Sequence, residues 1–213
     1  MSYLVNKNII SKAITWCNDY ANGNYSDIPV SIRKGKYIRG ETSRGWFSHE
    51  SNMIKIFEDK AFVYSHEFLH ASDSAAHPDW FSYSLVKDKA SDIANRGITE
   101  LRKCNYNVEL MTEAGKCRYL AYYLMSPIEL RAVSFSVLYG KEVPPYISDM
   151  EKLISYAENF NDILDPIIIE YTTSILLGRY NAFMRFMEHK TEESLIELFE
   201  FLENDIVFQK YHI

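Results

Sequence analysis

The residues whose types and spacing can do chemistry are His66-Glu67-Phe68-Leu69-His70. On a helix, residues four apart lie on one face, so both imidazoles reach a single ion. Zinc accepts neutral histidine nitrogen readily and keeps an open position where the protein supplies only three ligands. Glu67 follows the first histidine directly, which puts its carboxylate beside a metal-bound water and within reach of its proton. The expected chemistry is attack of a zinc-activated water on a polarised carbonyl. The motif does not dictate which acyl group is attacked. The plain alternative is two surface histidines on an ordinary helix.

A catalytic zinc needs a third protein ligand. The candidates are His77, Glu100 and Glu129, and more weakly Asp73 and Glu113. The extended H-E-x-x-H-x-x-G-x-x-H pattern needs Gly and His at the positions held here by Asp73 and Ala76, so His77 is out of register. With Pro78 next, His77 belongs in the turn that ends the helix. Glu129 stands in Ser126-Pro127-Ile128-Glu129-Leu130-Arg131-Ala132, the start of a second helix. Ala132, three residues on, puts a small side chain on the Glu129 face and lets another helix come close. Ser126, Pro127 and Glu129 also spell a capping box, so capping and ligation both stay open for Glu129. Asp73, one turn beyond His70, suits a role in orienting a ligating histidine or in capping the helix. Glu100 and Glu113 have no supporting pattern and read as solvated charge.

The elements that must position these groups follow from periodicity. Residues 4–21 carry apolar positions at helical spacing and end at Asn22-Gly23-Asn24. Short strands are expected at about 29–33, 36–39, 44–49 and 52–57, the last two as a hairpin around Glu50-Ser51. The helix bearing the two histidines follows, with Asp59 as its candidate N-cap and Phe62, Val63, Phe68, Leu69 and Ala71 as its apolar side. From there the pattern is mostly helical, including about 147–161, 164–179 and 192–205. The fold class is α+β, mostly helical, with a small antiparallel sheet ahead of the histidine helix. A soft boundary at Gly140 to Pro145 divides a catalytic domain, residues 1–140, from a helical tail, 141–213, packed on it.

Bulk properties narrow the function classes. The chain has 213 residues, 47% hydrophobic and 15% aromatic, enough for a real core. A net charge of -6 argues against a nucleic-acid footprint. The three cysteines, Cys17, Cys104 and Cys117, form no C-x-x-C pair and read as reduced thiols. Met1 to Trp16 does not read as a signal peptide, and the apolar stretches Pro166 to Ile169 and Ser174 to Leu177 are far too short to span a bilayer. A cytoplasmic protein without membrane or nucleic-acid partners is expected.

The run His66 to Asp73, followed by Ser126-Pro127-x-Glu129-Leu130-x-Ala132-x-x-Phe135, resembles the zincin metallopeptidases of the anthrax lethal factor type. It is also similar to related peptidases of phages and mobile elements. The resemblance covers about residues 40–140. It implies a gluzincin-like fold, a Zn2+ cofactor and a third ligand at Glu129, from an E-x-x-A-type helix. It also implies that a tyrosine seven residues earlier, Tyr122, supports the oxyanion. The plainer role for Tyr122 is an aromatic core residue in Leu120 to Leu124. Zincins lay an edge strand along the cleft for extended substrate. Arg44 to Ser48 is the matching strand, with Trp46 and Phe47 as substrate-binding residues; otherwise both are core aromatics. Leu69 stands where the family often has Gly, and Val133 where an acid is frequent. Neither is a ligand.

The expected activity is zinc-dependent peptide-bond hydrolysis. His66, His70 and Glu129 hold the metal, Glu67 is the general base, and a peptide or protein is the substrate. The alternative is a catalytically silent zincin-fold binding module. For it, the apolar stretches 167–177 and 183–202 of the tail would face a protein partner instead of the core.

Overall fold

Between Ala61 and Ala76 the only acidic or basic residues besides the two histidines are Glu67 and Asp73. A helix so poor in charge must be covered on several sides. The computed structural model describes residues 11–15, 31–34, 44–78, 80, 125–144, 147 and 166–212. Its labelled elements are three strands, β1 (Ser31–Lys34), β2 (Gly45–Ser48) and β3 (Met53–Ile56), and four helices. The helices are α1 (Ala61–Ala76), α2 (Pro127–Gly140), α3 (Pro166–His189) and α4 (Glu192–His212). The described chain is thus mostly helical with one small sheet, as the α+β expectation requires. Among the described residues no helix is long and apolar enough to cross a membrane.

The expected hairpin is present. β2 and β3 run antiparallel, with Trp46 opposite Lys55 and Phe47 opposite Ile54. The turn joining them closes with the Asn52 amide donating to the His49 carbonyl, and Asn52 takes φ 45°, which asparagine tolerates. Along β3 the side chains alternate: Ile54 and Ile56 are buried, Met53 and Lys55 half-buried.

The sheet is not purely antiparallel. β1 pairs with β3 in parallel, Ser31 against Met53, giving the order β1-β3-β2. A parallel pair needs a crossover, and residues 35–52, β2 included, supply it. The expected strand at 36–39, the ends of the first helix outside 11–15, and all of 147–161 but residue 147 lie outside the described residues.

The chain groups into two compact units. The first comprises Met1–Leu85, Arg131–Val143 and His189–Glu200; the second comprises Val86–Leu130, Pro144–Glu188 and Phe201–Ile213. In the first, α1 packs on β2 and β3. Ile54, Ile56, Phe62, Val63, Tyr64, Phe68 and Ala71 form one cluster, with Phe47 against it. α1 is buried nearly all round, not on one amphipathic side: Ser65, Glu67, His70, Ser72, Asp73 and Ser74 are buried too. Its N-cap is Lys60, in extended conformation and without a side-chain cap, so the start expected at Asp59 is one residue early. His77 is the C-cap, its amide bonded to the Asp73 carbonyl, as the following proline implied.

In the second unit α3 continues to His189, past the expected end near 179. Gly178 costs a helix interior about 1 kcal/mol relative to alanine. Beside it Arg179, fully buried, bonds Asp205 at 2.7 Å and the Met125 carbonyl at 3.3 Å, which anchors the turn that glycine weakens. α4, which belongs to the first unit as far as Glu200, opens on a reciprocal cap: the Ser194 amide donates to Thr191 Oγ1 and the Thr191 amide to Ser194 Oγ.

Candidate metal centre

α1 presents His66 and His70 one turn apart, and their Nε2 atoms face each other at 3.1 Å. The rings meet edge-on, 4.7 Å between centroids and 88° between planes. Phe62, a further turn back, stacks on the His66 ring at 6.1 Å. Two zinc–nitrogen bonds of about 2.0–2.1 Å at a tetrahedral angle put their nitrogens about 3.3 Å apart. The spacing of the two imidazoles therefore fits one edge of such a site.

The third donor is Glu129, on the first turn of α2. One ligand atom from each of His66, His70 and Glu129 lies within 4.8 Å of the others. His70 is buried and the other two are half-buried. This group can hold a metal ion. The serine half of the expected capping box is present at Glu129. Its backbone amide donates to Ser126 Oγ at 3.3 Å, while its carboxylate is the group near the imidazoles. Pro127 is the first residue of α2, where its missing N–H costs nothing.

Contacts at both ends of α1 hold α2 against it. Near one end, a Cβ on Gly140 would stand 2.6 Å from Phe62 Cα and 2.9 Å from its nitrogen, so only glycine permits this approach of backbones. Near the other, Arg131 grips Asp73 with Nε to Oδ2 and Nη2 to Oδ1, both 2.9 Å. Asp73, expected to orient a histidine or to cap the helix, has this guanidinium as the partner of its carboxylate. Both carboxylate oxygens receive a guanidinium N–H, because a buried carboxylate needs charged donors more than an imidazole does.

Glu67 is 5% exposed and lies under β2. A Cβ on Gly45 would come within 2.6 Å of Glu67 Oε1 and 2.7 Å of Val63 Cγ1. In the described sheet β2 is an edge strand. Trp46 is 46% exposed, whereas Phe47 packs on the core cluster, the plainer of its two roles. His49, in the hairpin turn, shares a 2.6 Å hydrogen bond with Ser74 of α1, which holds the hairpin over this helix.

Tyr122, Glu100 and Glu113 lie outside the described residues. Two participants escaped sequence reasoning. Gly45 opens a strand, where glycine signals close backbone approach. Arg131 is a lone cation between buried positions of a helix, a signal that it has a buried partner. No family model, curated protein or solved structure matches the chain.

Proposed function

We propose that the chain is a zinc-dependent peptidase of the zincin type. The observation that carries this reading is the convergence of His66, His70 and Glu129 with Glu67 adjacent to the first of them. Two neutral imidazoles and one carboxylate form a donor set that suits zinc and leaves a coordination position for water. A zinc bound there would act as a Lewis acid and bring its water's pKa near neutrality.

The residues of the chain do the rest. The Glu67 carboxylate accepts the proton of the attacking water and delivers it to the amine that leaves. Its burial under β2 restricts competing water around it. The edge of β2 offers backbone groups to an extended peptide, with Trp46 as an exposed apolar contact beside them. This favours a peptide over other acyl substrates. Tyr122 is proposed to donate to the oxyanion, on the resemblance alone.

The test compares the parent with Glu67→Gln. Metal analysis after purification without chelators should find stoichiometric zinc in both. A mixed peptide library should be cleaved by the parent only. Parent protein without zinc defeats the reading, and zinc without cleavage favours the silent binding module.

A further inference from the structure

The Asp73–Arg131 pair is fully buried, both side chains 0% exposed, and its partners are 58 residues apart in sequence. The guanidinium carbon lies over two aromatic rings, 5.1 Å from the Trp80 centroid and 4.1 Å from the Phe199 centroid. Its remaining nitrogen, Nη1, is buried with no hydrogen-bond partner among the described residues. Burying a charge pair is poor value for stability, since well-packed apolar residues of similar volume often do as well or better. What a bidentate pair does supply is geometry: two parallel N–H···O bonds admit only one relative placement of the elements that carry them.

Those elements are the two that carry the candidate ligands. On α1 the positions 66, 70 and 73 follow one another along a single face. On α2, Arg131 stands two residues after Glu129. Arg131 meets Asp73, one turn along that face from His70, while the Glu129 carboxylate lies near the two histidines. We infer that Asp73 and Arg131 are positioning residues that set the distance of Glu129 from His66 and His70, and thereby the affinity and geometry of the metal site. The inference rests on the metal-site reading above. Sites of this kind tolerate displacements of only about 0.5 Å, which makes a rigid clamp between the ligand-bearing helices consequential.

Arg131→Lys tests it, because lysine keeps the charge and gives up the planar fork. Cobalt(II) serves as a probe whose visible absorption reports coordination geometry. Parent and variant are titrated with Co2+ and with Zn2+, and folding is checked by circular dichroism and urea denaturation. The folded variant is expected to bind both ions about tenfold more weakly, with a changed Co2+ spectrum. A purely structural role would lower the urea midpoint and leave affinity and spectrum as in the parent, and that result overturns the inference. Should Arg131→Lys fail to fold, Asp73→Asn, which keeps one acceptor oxygen, is read by the same criteria. A parent that binds neither ion overturns the metal-site reading as well. A parent that binds both as tightly as the folded variant overturns the clamp alone.

Discussion

Gly45 lies against Glu67 so closely that a single methyl group would meet Glu67 Oε1 at 2.6 Å and Glu67 Cγ at 2.9 Å. The first residue of the edge strand thus fixes where the candidate general base can be. The same methyl would meet Val63 Cγ1 at 2.7 Å, on a β-branched side chain with little rotational freedom in a helix. Relief through Val63 is therefore expensive, and Glu67 or the strand must move.

Gly45→Ala follows as the first prediction. Overpacking of this kind costs about 1–3 kcal/mol. A general base moved by about 1 Å loses on the order of 10²-fold in rate. The expected outcome is a modest fall in thermal stability with a large fall in kcat/KM and retained zinc. Unchanged peptide cleavage in a folded Gly45→Ala protein would show that β2 does not set the Glu67 position.

A second prediction concerns the Phe62 end of the α1–α2 contact. At Gly140 the obstructing atoms are the backbone of Phe62, which cannot turn aside as a side chain can. Gly140→Ala must therefore push the helices apart, even though alanine is the better helix former by about 1 kcal/mol. Net destabilisation of about 1–3 kcal/mol is expected in urea titration. A stabilised variant would mean that the close approach is not maintained in solution.

Much of what positions the site was legible because it is local. The alternation Met53, Ile54, Lys55, Ile56 gave β3, the histidine spacing gave the face of α1 that carries both imidazoles, and Ser126-Pro127 gave the start of α2. What was missed depends on partners distant in sequence. The parallel pairing of β1 with β3 leaves no periodic mark on either strand. That Asp73 and Arg131 are each other's partner is not readable from either segment, because they stand 58 residues apart. α3 ran past Gly178 because Arg179 finds Asp205, which no local propensity encodes.

The ligand set makes a third prediction. His70→Ala and Glu129→Ala should each weaken zinc binding by more than the roughly 10–100-fold typical of changes behind the ligands. Zinc at about 100 times its dissociation constant should stabilise the parent by about 2.7 kcal/mol, and a chelator should remove that increment. Neither variant should gain it at the same zinc concentration. A zinc-dependent rise in the parent's unfolding temperature that persists in Glu129→Ala would assign the third ligand to another residue.

The last prediction separates the two partners of the other buried ion pair. The Arg179 side chain is 0% exposed and that of Asp205 16% exposed, with Nη2 and Oδ2 2.7 Å apart. Asp205→Ala removes the carboxylate and leaves a cation that cannot reach water, with the Met125 carbonyl still accepting from Nη1 at 3.3 Å. Breaking a buried pair in this way costs about 3–5 kcal/mol. Arg179→Met removes the charge instead, leaves a partly hydrated aspartate and fills the space with a flexible apolar chain, so it should cost distinctly less. The order of the two urea midpoints, Arg179→Met above Asp205→Ala, is the readout. The reverse order would mean that the guanidinium stabilises α3 through its packing and its bond to Met125 more than through Asp205.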